Sequence, residues 1–190
     1  MTWRPEIVVD RALAARLVRG QFPQFDHVDR LGEGWDYTAY RVDSDFVFRF
    51  PRREVVLPGM EREIATLPRL ELPVAIPKPL FVGEPSSGYP WQFYGARYIP
   101  GRGRLNGIID WVDVCRADPG IDLSLLWSFV PRDMFDSFLS EYGAVTEESL
   151  IVARVLALGL NATLANYARD VGNAALARAA LEGVERAAAN

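Results

Sequence analysis

The chain has 190 residues, a formal charge of −4, and 21 basic against 25 acidic residues that are well mixed. About half of it is apolar, enough for a sizeable core, which excludes a disordered chain on composition; Lys occurs only at Lys78 and no basic run stands out, which argues against a nucleic-acid footprint. The single cysteine, Cys115, rules out an intramolecular disulfide and suits a reducing, cytoplasmic setting.

The start, Met1-Thr-Trp-Arg-Pro-Glu, lacks the apolar stretch of a signal peptide. Asp10 is placed to cap a helix through Arg11–Arg19 that stops at Gly20. Three strand-like segments follow: 28–31, 37–42 and 45–50, the last two joined by the turn Asp43-Ser44. In the third, Phe46, Phe48 and Phe50 share one face while Val47 and Arg49 share the other. A helix is predicted from Met60 to Leu67, with Met60, Ile64 and Leu67 as its apolar stripe and Glu63 inside that stripe. Pro73–Pro79 reads as extended, and 80–82 with 91–94 reads as a hairpin.

Beyond Asn106, a short apolar strand Gly107-Ile-Ile109 is predicted to end in Asp110. Asp118-Pro-Gly120 reads as a turn and Asp122 as the cap of a helix to Val130. Helices are predicted over 133–142, from a Thr146 cap to about Arg169, and from an Asn173 cap to Ala189. The apolar stretch 150–160, broken by Arg154, reads as too short to span a bilayer, so no membrane partner is expected. The fold class expected is α+β, with a β-rich lobe over 1–101 carrying one inserted helix and a mostly helical lobe over 102–190.

Three features carry chemistry. Gly32-Glu33-Gly34 lies between two strands, where glycine lets a backbone approach a ligand; the same pattern serves a plain tight turn. Arg49 stands in an apolar strand and Glu63 in an apolar stripe, and a buried carboxylate requires a partner. Such a pair is either a structural ion pair or the phosphate anchor of kinase folds. Asp110, at the end of an apolar strand, is either a metal ligand or a turn residue.

The motifs Leu31-Gly-Glu-Gly-Trp-Asp36, Phe46-Val-Phe-Arg-Phe-Pro-Arg-Arg53, Glu61-Arg-Glu63, Tyr98-Ile-Pro-Gly101, Gly107-Ile-Ile-Asp-Trp111 and Asp118-Pro-Gly-Ile-Asp-Leu123 occur in this order. In that order they resemble aminoglycoside and macrolide phosphotransferases, small-molecule kinases associated with antibiotic resistance. The resemblance implies a two-lobed protein-kinase-like fold whose C-terminal lobe is reduced here. It implies ATP or GTP as nucleotide, with Mg²⁺ at Asp110. Gly32, Glu33 and Gly34 would cover the phosphates, and Arg49 held by Glu63 would anchor them. Arg97, Tyr98 and Ile99 would form the hinge facing the purine. Tyr37 departs from the Asn common after Trp-Asp in that family.

One family part is missing. The catalytic loop resembles His-Gly-Asp-x-x-x-x-Asn, and its Asp serves as base toward the acceptor hydroxyl. The one histidine, His27, precedes the glycine loop and reads as a surface residue. Asn106, Asn161, Asn166, Asn173 and Asn190 follow Gly101, Leu156, Asn161, Ala168 and Glu185 at the required spacing, so none matches. Only Arg102–Asn106 joins Gly101 to Gly107, a reach of roughly 18 Å at most, too little for the family's helical block. An internal deletion is therefore expected between Gly101 and Gly107. It would remove the catalytic base and impair transfer to an antibiotic or similar acceptor. It would also leave apolar faces uncovered, favouring self-association. The alternative is a non-catalytic nucleotide-binding or self-associating module.

Overall fold

The computed structural model describes residues 4–101 and 106–189. The expected deletion junction, the adjoining boundary at 101/102 and the first three residues of the N-terminus lie outside the described residues. By contact, the chain divides into two compact units, Met1–Cys115 and Arg116–Asn190. Together they make an α+β protein.

The first unit opens with α1 (Arg11–Gln21), capped by the Asp10 carboxylate, which accepts from the Leu13 amide at 2.8 Å. The helix does not stop at Gly20 as the sequence predicts. A glycine inside a helix costs only about 1 kcal/mol. One more residue lets Gln21 donate to the Glu84 carbonyl and accept from the Glu84 amide, which offsets that cost.

Five strands follow: β1 (Val28–Glu33), β2 (Tyr37–Val42), β3 (Phe46–Pro51), β4 (Phe81–Gly83) and β5 (Phe93–Arg97). They form one antiparallel sheet in the order β1-β2-β3-β5-β4. In the three-residue loop between the paired Val42 and Phe46, Asp43 and Ser44 both take the left-handed backbone, with φ of 48° and 81°. Alternation in β3 sends Phe48 and Phe50 to one face, where they pack with Phe25, Tyr40, Tyr89 and Phe93 under α1. Phe50 and Phe93 stack at 4.7 Å between centroids. Gly95 makes room for this layer, since a Cβ there would lie 2.5 Å from the Phe48 ring. Each buried ring contributes about 2–3 kcal/mol by area.

The opposite sheet face packs on α2 (Leu57–Thr66) through Tyr37, Met60, Tyr94 and Ala96. The sequence predicts this helix from Met60, but it begins three residues earlier. Pro58 fits its first turn because the missing N–H there has no helical partner to lose. Gly59 admits a second segment closely: a Cβ would stand 2.6 Å from the Val112 side chain.

The predicted strand 107–109 does not form. Gly107 makes one isolated parallel bridge to Ala75, and the Ile108 amide donates to the Ala75 carbonyl at 2.9 Å. Apolar composition suggests a strand here, but a strand needs a continuous partner edge. Ile108 and Ile109 stay exposed.

The second unit is helical: α3 (Gly120–Phe129), α4 (Phe135–Tyr142), α5 (Glu147–Asp170) and α6 (Ala174–Ala188). Asp118, not Asp122, closes the start of α3, accepting from the Gly120 amide at 2.7 Å. Asp122 instead lies within the first turn, where a negative charge suits the helix dipole. Thr146 and Asn173 cap α5 and α6 as their sequence positions predict. Helices α3, α5 and α6 meet through small residues, among them Ser128, Ala153, Ala157, Gly183 and Ala187. Arg154 donates to the carbonyls of Ala187, Ala188 and Ala189, placing a cation at the negative end of α6. By length and composition alone α5 is long and apolar enough to cross a membrane, contrary to the sequence expectation, since one arginine does not disqualify 24 residues.

Candidate functional site

Register builds the site. Ala39 on β2 pairs with Arg49 on β3, and Arg49 pairs with Tyr94 on β5, so all three side chains share the α2-facing side of the sheet. Glu63 projects from α2 toward them and is fully buried, while the Arg49 side chain is 16% exposed. Arg49 Nη1 donates to Glu63 Oε1 at 2.9 Å and to the Tyr94 hydroxyl at 2.7 Å. The Arg49 guanidinium also lies 4.1 Å from the centroid of the Tyr37 ring.

Burial raises the Glu63 carboxyl above the usual carboxylate range, and Arg49 pulls it only part of the way back. Its second oxygen has no hydrogen-bond partner among the described residues, consistent with that direction. Burial alone would lower Arg49; Tyr94 and Glu63 outweigh it and hold the guanidinium firmly charged. Burial likewise raises the Tyr37 and Tyr94 hydroxyls, keeping both neutral.

Two cavities adjoin at this pair. One, of about 310 Å³, is walled by Leu31, Ala39, Val47, Pro77, Ala96 and Ile99. Arg97 and Tyr98 complete that wall; the Tyr98 amide is already committed to the Asp45 carbonyl at 2.7 Å. The other, of about 280 Å³, lies beneath Gly32, Glu33, Gly34 and Trp35. Ala39, Arg49 and Asp110 line both. The first is mostly apolar and the second is richer in charged groups, with Glu33, Asp36, Arg49 and Asp110 in its wall, so together they suit a ligand with a flat apolar end and a charged end.

The glycine loop is held in place rather than hanging free. The Gly34 amide donates to the Tyr37 carbonyl at 2.9 Å, and the Arg52 amide donates to the Asp36 carbonyl at 2.7 Å. Arg52 also donates to the Gly34 carbonyl, and Arg53 pairs with the Asp36 carboxylate. A Cβ on Gly32 or Gly34 would meet nothing within 4 Å, so neither glycine is demanded by crowding in the protein itself. The Glu33 carboxylate is neutralised by Arg30 at 2.6 Å and Arg52 at 3.6 Å. In the sequence Arg52 and Arg53 stand out only as part of the motif Phe46–Arg53. A run of basic residues after a strand carries no mark of which backbone it will hold.

Asp110 is exposed, with a left-handed backbone at φ 70°. No group of three metal-ligating side chains occurs among the described residues. Of the carboxylates lining the second cavity, Glu33 and Asp36 are paired with arginines, and Asp110 has no ion pair among the described residues. That fits Mg²⁺, which commonly takes one or two carboxylates and fills its octahedron with phosphate and water oxygens. His27 is exposed, and its amide donates to the Asp43 carboxylate at the strand turn, a structural position away from both cavities.

Residues 27–103 match the model of the family described as "Phosphotransferase enzyme family". No curated protein matches. Solved structures do match. The GDP complex of wild-type aminoglycoside 2'-phosphotransferase-IIIa is 26% identical, over 80% of this chain and 51% of that one, with a TM-score of 0.46. The streptomycin-ATP-APH(2")-IIa ternary complex is 17% identical, over 90% and 57%, with a TM-score of 0.37. The chain spans about half the length of these proteins. The similarity to the phosphotransferase enzyme family thus lies in residues 27–103, within the first unit.

Proposed function

We propose that the first unit binds ATP or GTP with Mg²⁺, and that the protein derives from enzymes transferring phosphate to a hydroxyl of an aminoglycoside or similar small molecule in the cytoplasm. The observation that carries this reading is Arg49, held by Glu63 at 2.9 Å and lining both a mostly apolar cavity and one richer in charged groups. A purely structural ion pair would not need its cation to line two cavities, as Arg49 does.

In this reading Ala39, Val47, Ala96 and Ile99 sandwich the purine, and residues 97–99 flank its edge. Gly32 and Gly34 lie over the phosphates without side chains to obstruct them, while the Glu33 carboxylate between them is held by Arg30 and Arg52. Arg49 neutralises phosphate charge in a partly desolvated setting, where the attraction exceeds that in water. Mg²⁺, held by Asp110 and phosphate oxygens, would supply further charge neutralisation. The acceptor's proton has no base of the family's kind in this sequence, so transfer relies on positioning and is impaired. Asp113 is exposed and is not given that role.

The test is calorimetric and thermal titration with ATP and GTP, with and without Mg²⁺. Ligand at a hundredfold excess over Kd stabilises by about 2.7 kcal/mol. Asp110→Asn is expected to keep the melting temperature of the free protein and to lose the Mg²⁺-dependent part of the affinity. No binding of either nucleotide overturns the reading. Turnover with an aminoglycoside or macrolide panel, abolished by Asp110→Asn, would overturn the impairment alone.

A second reading, self-association, is favoured by Ile121, Leu125 and Phe129, which lie at helical spacing along α3 and are 48%, 57% and 63% exposed. It is compatible with nucleotide binding.

A further inference from the structure

Arg49 commits one nitrogen to the protein. Nη1 serves both Glu63 and Tyr94, while Nε and Nη2 have no partner among the described residues. Those two nitrogens share one edge of the guanidinium, and their N–H bonds point the same way, spaced for two oxygens of one phosphate. The guanidinium lines both cavities, so this edge is the part of Arg49 left for a ligand.

A fork grips two oxygens only if its plane is fixed. Glu63 and Tyr94 hold a single nitrogen and leave the group free to swing about it. The Tyr37 ring supplies the missing restraint, with its centroid 4.1 Å from the guanidinium carbon, against 5.6 Å for the Tyr94 ring. Tyr37 is 7% exposed, between Val56, Met60 and Tyr94, so it cannot easily swing away. Its hydroxyl has no partner among the described residues. The side chain therefore serves the site through its ring.

We propose that Tyr37 is a positioning residue whose ring fixes the plane of Arg49, so that the Nε–Nη2 edge grips two oxygens of a nucleotide phosphate. The inference rests on the nucleotide reading above. It also gives a reason for a tyrosine after Trp35-Asp36: an asparagine has no ring to lay against a guanidinium.

The test compares ATP, ADP and adenosine by calorimetry on the full chain. Tyr37→Met fills similar space without a ring face, and is expected to weaken ATP and ADP roughly tenfold while adenosine binds as before. Tyr37→Phe, which keeps the ring, is expected to restore the affinity. Arg49→Lys keeps the charge opposite Glu63 but loses the fork, and is expected to follow Tyr37→Met. Equal losses for ATP and adenosine in Tyr37→Met would make the role merely structural and overturn the inference. So would unchanged ATP affinity, or failure of Tyr37→Phe to restore it. If Tyr37→Met does not fold, Arg49→Lys decides, and full ATP affinity in that variant overturns the fork. Wild-type protein that binds no nucleotide removes the nucleotide reading itself, and this inference with it.

Discussion

In the sheet unit the side chains taken fully out of water are large: Tyr40, Phe48, Phe50, Tyr89, Phe93 and Tyr94. In the helical unit, α3, α5 and α6 meet through Ala153, Ala157, Ala168, Ala180 and Ala187, with Leu123 and Leu126 among few larger partners. The helical unit's bulk faces outward instead, at Ile121, Leu125, Phe129, Ile151 and Val155. Both units are apolar by composition, yet they use it differently. The sheet has spent its rings on its own interior and keeps beside its cavities a charged pair whose carboxylate is fully buried. The helices pack closely by being thin at their contacts, and leave their heavier residues for something else. Stability in the first unit is thus concentrated in buried groups whose loss is severe, and in the second it depends on clearance between backbones.

The largest expected effect strikes the first unit. Glu63→Ala leaves the Arg49 guanidinium mostly buried beside Tyr94 without its counter-charge. Breaking a buried pair in this way costs about 3–5 kcal/mol. Glu63→Gln keeps the shape and an acceptor for Arg49, so its cost is expected to be smaller. Urea unfolding followed by near-ultraviolet circular dichroism, which reports the aromatic core, measures both. Equal stability of Glu63→Ala and wild type would show that the pair contributes nothing to this unit.

That pair was also the most legible part of the site. A charge in the run Phe46–Phe50, and another within the stripe Met60–Leu67, each violate their local pattern, and only mutual pairing resolves both. The tyrosines gave no such signal. An aromatic residue in a strand agrees with its pattern, so the strand pattern does not single out Tyr37 or Tyr94. Their place around Arg49 depends on cross-strand register, which no single strand encodes. Periodicity and caps made α5 and α6 readable almost to the residue, because Thr146 and Asn173 mark them chemically. The strand over-read at 107–109 failed for the opposite reason. Gly-Ile-Ile is apolar, but the backbone turns left-handed at Asp110, and the segment makes a single isolated bridge, to Ala75, among the described residues.

Next in size is a test of clearance in the helical unit. Gly183→Ala puts a Cβ 2.2 Å from Asn161 Oδ1. Asn161 cannot yield freely, since its amide donates to Ser128 Oγ and to the Ala157 carbonyl, both at 2.8 Å. Overpacking of this kind costs about 1–3 kcal/mol, and alanine's better helix propensity returns at most about 1 kcal/mol. Net destabilisation is expected. Gly159→Ala on α5 meets nothing within 4 Å and is expected to stabilise by roughly 0.5–1 kcal/mol. Thermal melts at 222 nm on the pair separate propensity from clearance. Stabilisation by both would mean that α5 and α6 are not held at the spacing described.

The smallest effect on stability tests the outward residues. Leu125 and Phe129 are 57% and 63% exposed on α3, so Leu125→Glu and Phe129→Asp remove little buried area. Away from buried features, surface changes usually stay within about 0.5 kcal/mol. The melting temperature at low concentration is therefore expected to hold, while the mass by light scattering at micromolar concentration is expected to fall toward that of a monomer. The two readouts divide the possibilities. A large loss of stability would mean that these side chains serve the unit's own core, so that the contrast with the sheet disappears. Unchanged stability with unchanged mass would mean that α3 faces water as it stands. Only unchanged stability with reduced mass fits helices that keep their bulk for a second molecule.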